Sequence, residues 1–153
     1  MNLVYKRNTA TRAEIHAHLQ ECDDNFDPPL SSRVDLIAYS AKIHENSVTF
    51  EAWDNQVLVG MMNAYFNDME NNFGYITNVS VIKDHMGKGI AAALLEECME
   101  YAREHHFARI KLEVSKNNDR AIHLYEKAGF RGLEARDNTV LMNYEVASAG
   151  HQK

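Results

Sequence analysis

The sequence predicts an α/β layer architecture built on a mixed sheet, and three observations carry that expectation. First, 153 residues with 45% hydrophobic and 25% charged side chains, 7 glycines and 2 prolines suit an ordinary folded domain, which at this length buries roughly two thirds of its unfolded surface. Second, apolar residues recur every three or four positions in some segments and every second position in others, so both helices and strands are required. Third, hairpin turns join the middle strands while helices join the later ones, which mixes antiparallel with parallel pairing.

Leu3 to Lys6 is a short strand candidate. Thr11 to Cys22 is helical, with Ile15 and Leu19 at i, i+4 and a Thr11/Glu14 capping box. The acidic loop Asp23-Asp24-Asn25-Phe26-Asp27-Pro28-Pro29 comes next. Ser32 to about His44 reads as a second helix, capped by Ser31 or Ser32, with Leu36, Tyr39 (or Ala38) and Ile43 along one side. Ser47 to Trp53 alternates, which places Val48, Phe50 and Ala52 on one face, and Asp54-Asn55-Gln56 is its hairpin turn. Val57 to Phe66 is apolar on both faces, as in a central strand covered on both sides. Phe73 to Val81 is the next strand, after the polar turn Asn67 to Asn72. Gly87 to about His105 is a strong helix whose Ile90, Leu94, Cys98, Tyr101 and His105 share a side. Arg109 to Val114 alternates again, Arg120 to Ala128 is a short helix, and Val140 to Tyr144 is a last strand. No repeat, low-complexity stretch or dividing linker interrupts the chain. A single domain over 1–153 is therefore expected, with its motif-bearing core at about 46–144.

Composition narrows the function classes. No stretch approaches 18 apolar residues and the first residues lack the apolar core of a signal peptide, so neither membrane spanning nor secretion is expected. The net charge of −6, from 22 acidic and 16 basic residues, disfavours nucleic acid and anionic membranes as partners. Cys22 and Cys98 have neither a disulfide framework nor a metal spacing, which suits reduced thiols in a cytoplasmic protein. His16 with His18, and His105 with His106, miss the i, i+4 spacing of a helical zinc site, so no metal is expected.

Two segments carry chemistry. In Val79-Ser80-Val81-Ile82-Lys83-Asp84-His85-Met86-Gly87-Lys88-Gly89-Ile90-Ala91 a strand runs out, turns and re-enters as a helix. Gly87 and Gly89 remove bulk where an anion's oxygens would approach the main chain. The helix N-terminus offers unpaired N–H donors and roughly half a positive charge, and Lys88 adds a mobile counter-charge. A dinucleotide fingerprint fails for want of its third glycine, and a P-loop for want of its Gly-Lys-Ser/Thr ending. The second segment runs from Asn117 to Phe130. Asn117 or Asn118 caps its helix, Asp119 and Lys127 suit the two poles, Gly129 is placed for a left-handed stop, and Phe130 can fold back on Leu124 or Tyr125. On its own, Tyr125 reads as a core tyrosine.

Together these segments resemble the GNAT superfamily of N-acetyltransferases. The family's acetyl-CoA loop, Arg/Gln-x-x-Gly-x-Gly/Ala, lies over Met86-Gly87-Lys88-Gly89-Ile90-Ala91. Its Asn-x-x-Ala-x-x-Leu-Tyr-Glu-Lys-x-Gly-Phe signature is matched by Asn118, Ala121, Leu124, Tyr125, Glu126, Lys127, Gly129 and Phe130. The resemblance implies a mixed, mostly antiparallel sheet flanked by helices and splayed between its fourth and fifth strands. It further implies transfer of acetyl from acetyl-CoA to a primary amine by direct attack in a ternary complex.

In that scheme pantetheine pairs with Val79, Ser80 and Val81, and pyrophosphate sits on the main chain of Met86 to Ala91. Asn118 fixes the CoA arm and Tyr125 is the general acid. Family members often pair as homodimers, and the resemblance extends that expectation here. Two departures stand out: Met86 replaces the usual Arg or Gln, and the fourth strand offers Thr77, Asn78 and Ser80 where many relatives carry a general-base glutamate. Water held by Asn78 or Ser80 is then the expected proton acceptor. Asp24, Phe26 and Asp27 are the candidate wall for a cationic acceptor. The rival reading is a non-catalytic CoA-binding or regulatory module of the same fold, which turnover would distinguish.

Overall fold

A computed structural model describes residues 1–146. Its strands are β1 (Leu3–Arg7), β2 (Val48–Asp54), β3 (Val57–Asp68), β4 (Phe73–Val81), β5 (Arg109–Ser115), β6 (Arg131–Ala135) and β7 (Thr139–Glu145). The helices are α1 (Arg12–Cys22), α2 (Leu36–Asn46), α3 (Ile90–Glu104) and α4 (Asp119–Ala128). The sheet order is β1-β2-β3-β4-β5-β7-β6. β1/β2, β2/β3, β5/β7 and β6/β7 are antiparallel, while β4 and β5 are parallel. This is the mixed, mostly antiparallel α/β fold that the sequence predicts. The chain divides into two compact units, Met1–Ala64 with Asn78–Cys98, and Tyr65–Thr77 with the residues from Met99 on. β3, β4 and α3 run through both.

In the first unit α1 starts as expected. Thr11 Oγ1 accepts from Glu14 N–H and Thr11 N–H donates to the Glu14 carboxylate. Its buried stripe is Ile15, His18, Leu19 and Cys22. The predicted start of α2 needs correction. The helix begins at Leu36 under Asp35, whose carboxylate accepts from Ile37 N–H at 3.2 Å. Ser31 and Ser32 are spent in a preceding short 3-10 turn: the Ser31 hydroxyl donates to Asp23 and the Ser32 hydroxyl to Pro29.

β2 is the expected strand, and the face opposite Phe50 and Ala52 is buried as well, by Thr49, Glu51 and Trp53. Glu51 tolerates burial because four donors reach it: Thr9 N–H, Thr9 Oγ1, Ala10 N–H and Trp53 Nε1. The β2–β3 turn is the predicted hairpin, with Asn55 and Gln56 both left-handed (φ 52° and 71°). α3 rests on β3 at Gly60, where a Cβ would come within 2.6 Å of Ile90 Cγ2.

The second unit is built on rings. Phe66 packs on Tyr101 and Phe107 with centroids 4.8 and 4.7 Å apart, over Gly74, where a Cβ would collide with the Phe66 ring. The β3–β4 turn is pinned there by Ala108 N–H to Asn72 O and by Asn72 Nδ2 to His106 O. On β5, Glu113 accepts from Arg136 at 2.7 Å and from Thr139 at 3.0 Å, and the guanidinium holds its carboxyl below the usual range.

Candidate functional site

β4 pairs with β5 from Phe73↔Arg109 to Ile76↔Leu112. It then runs on through Thr77 to Val81 beyond the last of those pairs. Alternation turns Asn78 and Ser80 to the buried face, while Val79 and Val81 are half-buried. Ile82 N–H donates to Val59 O, and the short turn Lys83–His85 carries the chain toward α3. His85 Nε2 lies 2.8 Å from Asp54, a contact that with the Asn2 N–H lowers the Asp54 pKa and anchors this turn to the end of β2.

The glycine segment differs from expectation in one respect. Gly87 and Gly89 precede the helix instead of forming its first turn, with φ of 76° and 81°, because α3 begins at Ile90. A Cβ at Gly89 would meet no atom within 4 Å. The left-handed φ, not crowding, is what favours glycine there. The first helical bond runs from Ala93 N–H to Gly89 O, so the N–H groups of Gly89 to Ala92 have no acceptor within the helix. Met86, Gly87, Lys88 and Gly89 are exposed, Ile90 is buried and Ala91 is half-buried. Exposed main-chain donors at a positive helix pole are suited to an anion.

The acidic loop lies beside the end of β4, since Asn25 Nδ2 donates to Val81 O at 3.4 Å. Asp24 and Asp27 are exposed and Phe26 is half-buried, while Asp23 is committed to Ser31. In the second unit Asn118, not Asn117, caps α4, with its Oδ1 accepting from Ala121 N–H at 3.1 Å. Gly129 has φ 111°, and Gly129 N–H to Glu126 O with Phe130 N–H to Tyr125 O complete a Schellman stop. Tyr125 is 5% exposed and its ring lies 5.6 Å from that of Phe130. Packing is therefore one role of this tyrosine.

Sequence reasoning passed over His18 and Asn63. His18 sits on the apolar stripe of α1, with Nδ1 3.0 Å from Leu58 O and Nε2 2.9 Å from Ser80 Oγ. Asn78 Nδ2 donates to Ser80 Oγ at 3.3 Å and to Asn63 Oδ1 at 3.1 Å. Asn63 Nδ2 in turn reaches Ser47 Oγ and Thr49 Oγ1 at 3.2 and 3.1 Å. A histidine one turn from Ile15 and next to Leu19, and an asparagine amid an apolar strand, were the available signals. Among the described residues no group of three or more His, Cys, Asp or Glu is placed to hold a metal, and no helix is long and apolar enough to cross a membrane.

Comparison with known proteins agrees with this geometry. The chain is 35% identical over 78 residues to streptothricin acetyltransferase A of Bacillus subtilis, a match covering 51% of this chain and 44% of that protein. The matched segment is thus less than half of that relative's length. In fold it is similar to the ribosomal-protein-S18-alanine N-acetyltransferase of Escherichia coli, with TM-score 0.77 and 18% identity over 98% of this chain and 99% of that one. It is similar also to the PaiA N-acetyltransferase of Thermoplasma acidophilum in complex with coenzyme A, with TM-score 0.74 and 11% identity over 95% and 99% of the two chains. The acetyltransferase (GNAT) family pattern matches residues 12–130, and the chain belongs to that family.

Proposed function

We propose that this protein transfers an acetyl group from acetyl-CoA to a primary amine by direct attack within a ternary complex. The observation that carries this reading is the exposed Met86–Gly89 turn, whose two left-handed glycines lead into the unpaired N–H groups of α3. The main chain from Met86 to Ala91 would hold the pyrophosphate. The edge of Val79, Ser80 and Val81, beyond the last β5 pair, would take the pantetheine arm as a strand takes a neighbour. An N–H on that edge would polarise the thioester carbonyl and stabilise the developing oxyanion. The coenzyme A complex of a protein with the same fold supports this assignment.

A primary amine arrives as ammonium, pKa about 10, and must first release a proton, which water held by Asn78 or Ser80 receives. As the N–C bond forms and the C–S bond breaks, Tyr125 donates its hydroxyl proton to the thiolate. The proton lost by nitrogen goes to solvent, and solvent re-protonates Tyr125. With its Oδ1 spent on the cap, Asn118 has Nδ2 left for the CoA arm. The loop bearing Asp24, Phe26 and Asp27 would orient the incoming cation, a role supported by its link through Asn25 to Val81.

Two measurements test this reading. Purified protein with acetyl-CoA should release CoA in the presence of some member of an amine panel. Similarity to a streptothricin acetyltransferase makes streptothricin the first to try, with spermidine and an alanine-terminated peptide beside it. Gly89→Val should lower acetyl-CoA affinity by at least about a hundredfold while leaving the protein folded, since a β-branched residue disfavours φ near 81°. Unchanged affinity by calorimetry would refute the loop's role.

A further inference from the structure

The hydrogen bonds around Asn78 have their directions imposed from both ends by backbone carbonyls. A carbonyl only accepts, so Leu58 O requires a proton on His18 Nδ1. A neutral imidazole then has a bare Nε2, to which the Ser80 hydroxyl at 2.9 Å is the nearer donor and the Cys22 thiol at 3.6 Å the farther. At the other end Ile43 O takes the hydroxyl proton of Ser47. Ser47 Oγ can therefore only accept from Asn63, which presents Nδ2 there and at Thr49. That orientation leaves Asn63 Oδ1 facing Asn78, and Asn78 must answer with Nδ2. Its second N–H goes to Ser80 Oγ. Both N–H groups of Asn78 are spent, and among the described residues no hydrogen bond reaches its Oδ1. A side chain that ordinarily both gives and takes is reduced to an acceptor.

We propose that Asn78 Oδ1 receives an N–H of the acceptor amine, and that His18, acting through Ser80, is the positioning residue that keeps it an acceptor. This rests on the N-acetyltransferase reading. An ammonium has hydrogens to give and no lone pair, so an acceptor that cannot flip selects it. A freely rotating hydroxyl or a flipping amide would not discriminate in this way. Asn78 is 5% exposed and immediately precedes the Val79–Val81 edge assigned above to the thioester arm.

Asn63 Oδ1 holds Asn78 Nδ2 from one side, and the His18 end adds its hold only while His18 is neutral. Burial holds its pKa below the ordinary value of 6.5, with the backbone groups of Leu58 and Ser80 partly opposing. The titratable group touching it is Cys22 on its own helix, Sγ 3.6 Å away, whose thiol burial pushes up to about 12 and so keeps neutral. On neighbouring turns of α1, Glu14 and Glu21 are exposed. β3 and β4 present Leu58, Asn63, Asn78 and Ser80, and the buried members of α2 are Ser40 and Ile43. Glu51, the buried carboxylate of this unit, is held by Thr9, Ala10 and Trp53. Protonating Nε2 would turn the Ser80 proton toward an Asn78 N–H, so the direction would be lost.

The experiment is steady-state kinetics on the full chain, using acetyl-CoA and whichever amine of the panel turns over fastest. Asn78→Ala should raise the amine KM at least about tenfold and leave the acetyl-CoA KM unchanged. His18→Leu should do the same, and the double variant should be no worse than Asn78→Ala. His18→Gln places an amide oxygen near the Nε2 position, so it should restore the amine KM to within about threefold. It should also remove a rise in amine KM that the native protein shows at pH values below the ordinary imidazole range.

Long-range proton–nitrogen NMR should find His18 protonated on Nδ1 and bare on Nε2. A proton on Nε2, additive losses in the double variant, or an amine KM unmoved by Asn78→Ala would overturn the proposal. If His18→Leu does not fold, the pH profile of His18→Gln decides: a flat profile supports the lock and a native-like one overturns it. A native protein that binds acetyl-CoA yet acetylates no amine overturns the catalytic reading and this proposal together. A native protein that acetylates while every variant matches it overturns this proposal alone.

Discussion

The two units differ in what accompanies their apolar interiors. The second unit packs Phe66, Tyr101 and Phe107 as tilted rings, contacts that stabilise by area and shape and tolerate rotation about many axes. The first unit, beside its buried Ile15, Leu19, Ile43, Met61 and Met62, also encloses His18, Asn63, Asn78 and Ser80, where each polar group must find a partner of the right sense or cost stability. Rings hold strands together without orienting hydrogens. The amide–hydroxyl–imidazole chain contributes less net stability but dictates where every proton points.

The sharpest contrast in stability should come from Phe66→Ala. Phe66 is 7% exposed and contacts two rings, so its loss should cost about 3–5 kcal/mol, read as a lower denaturation midpoint. Asn63→Ala should cost less, about 1–3 kcal/mol, by stranding partners at Ser47, Thr49 and Asn78. It should also free the Asn78 amide to flip, so the amine KM should rise although residue 63 carries no assigned substrate contact. If Asn63→Ala proves as costly as Phe66→Ala, the distinction between the two interiors fails.

Tyr125→Phe probes one hydroxyl on a ring already held by Phe130. It should lower kcat at least about tenfold, with acetyl-CoA affinity and Tm nearly unchanged. A collapse in Tm would identify the hydroxyl as a structural partner. The smallest effect should be on acid stability. His18 has a depressed pKa, so the unfolded chain binds the proton more readily. Its contribution to stability should be complete above about pH 6.5 and decline as pH falls below that value. Stability measured against pH should lose this component in His18→Gln and retain it in Phe66→Ala.

The elements read most accurately from sequence are those whose causes are local. The Thr11/Glu14 box spans three residues, and the Gly129 stop needs only its neighbours Tyr125, Glu126 and Phe130. The glycine turn was legible for the same reason, although its helix starts at Ile90 and not at Gly87. Distant partners hid the rest. Glu51 is buried because Thr9 and Ala10, about forty positions away, turn their N–H groups toward it. α2 starts at Leu36 under an Asp35 cap, since Asp23 has already claimed Ser31. His18 entered the sequence reading only through its spacing from His16, because Leu58 and Ser80, which satisfy it, lie on other elements. Each departure concerns a polar side chain whose partner the chain brings in from afar.

The missing side chain at Gly60 sets a constraint of a different kind. Ile90 Cγ2 occupies the space a Cβ would need, and Leu94 Cδ1 stands 3.4 Å from the same point. The branched residue that begins α3 is thus seated in a notch cut into β3. Positions 60 and 90 therefore form a compensating pair: a methyl gained at one is accommodated by methyls given up at the other. Gly60→Ala alone forces Ile90 aside and drags the turn before it, whereas Gly60→Ala with Ile90→Ala returns the volume. Among sequences that drift while keeping this glycine turn, changes at these two positions should arrive together.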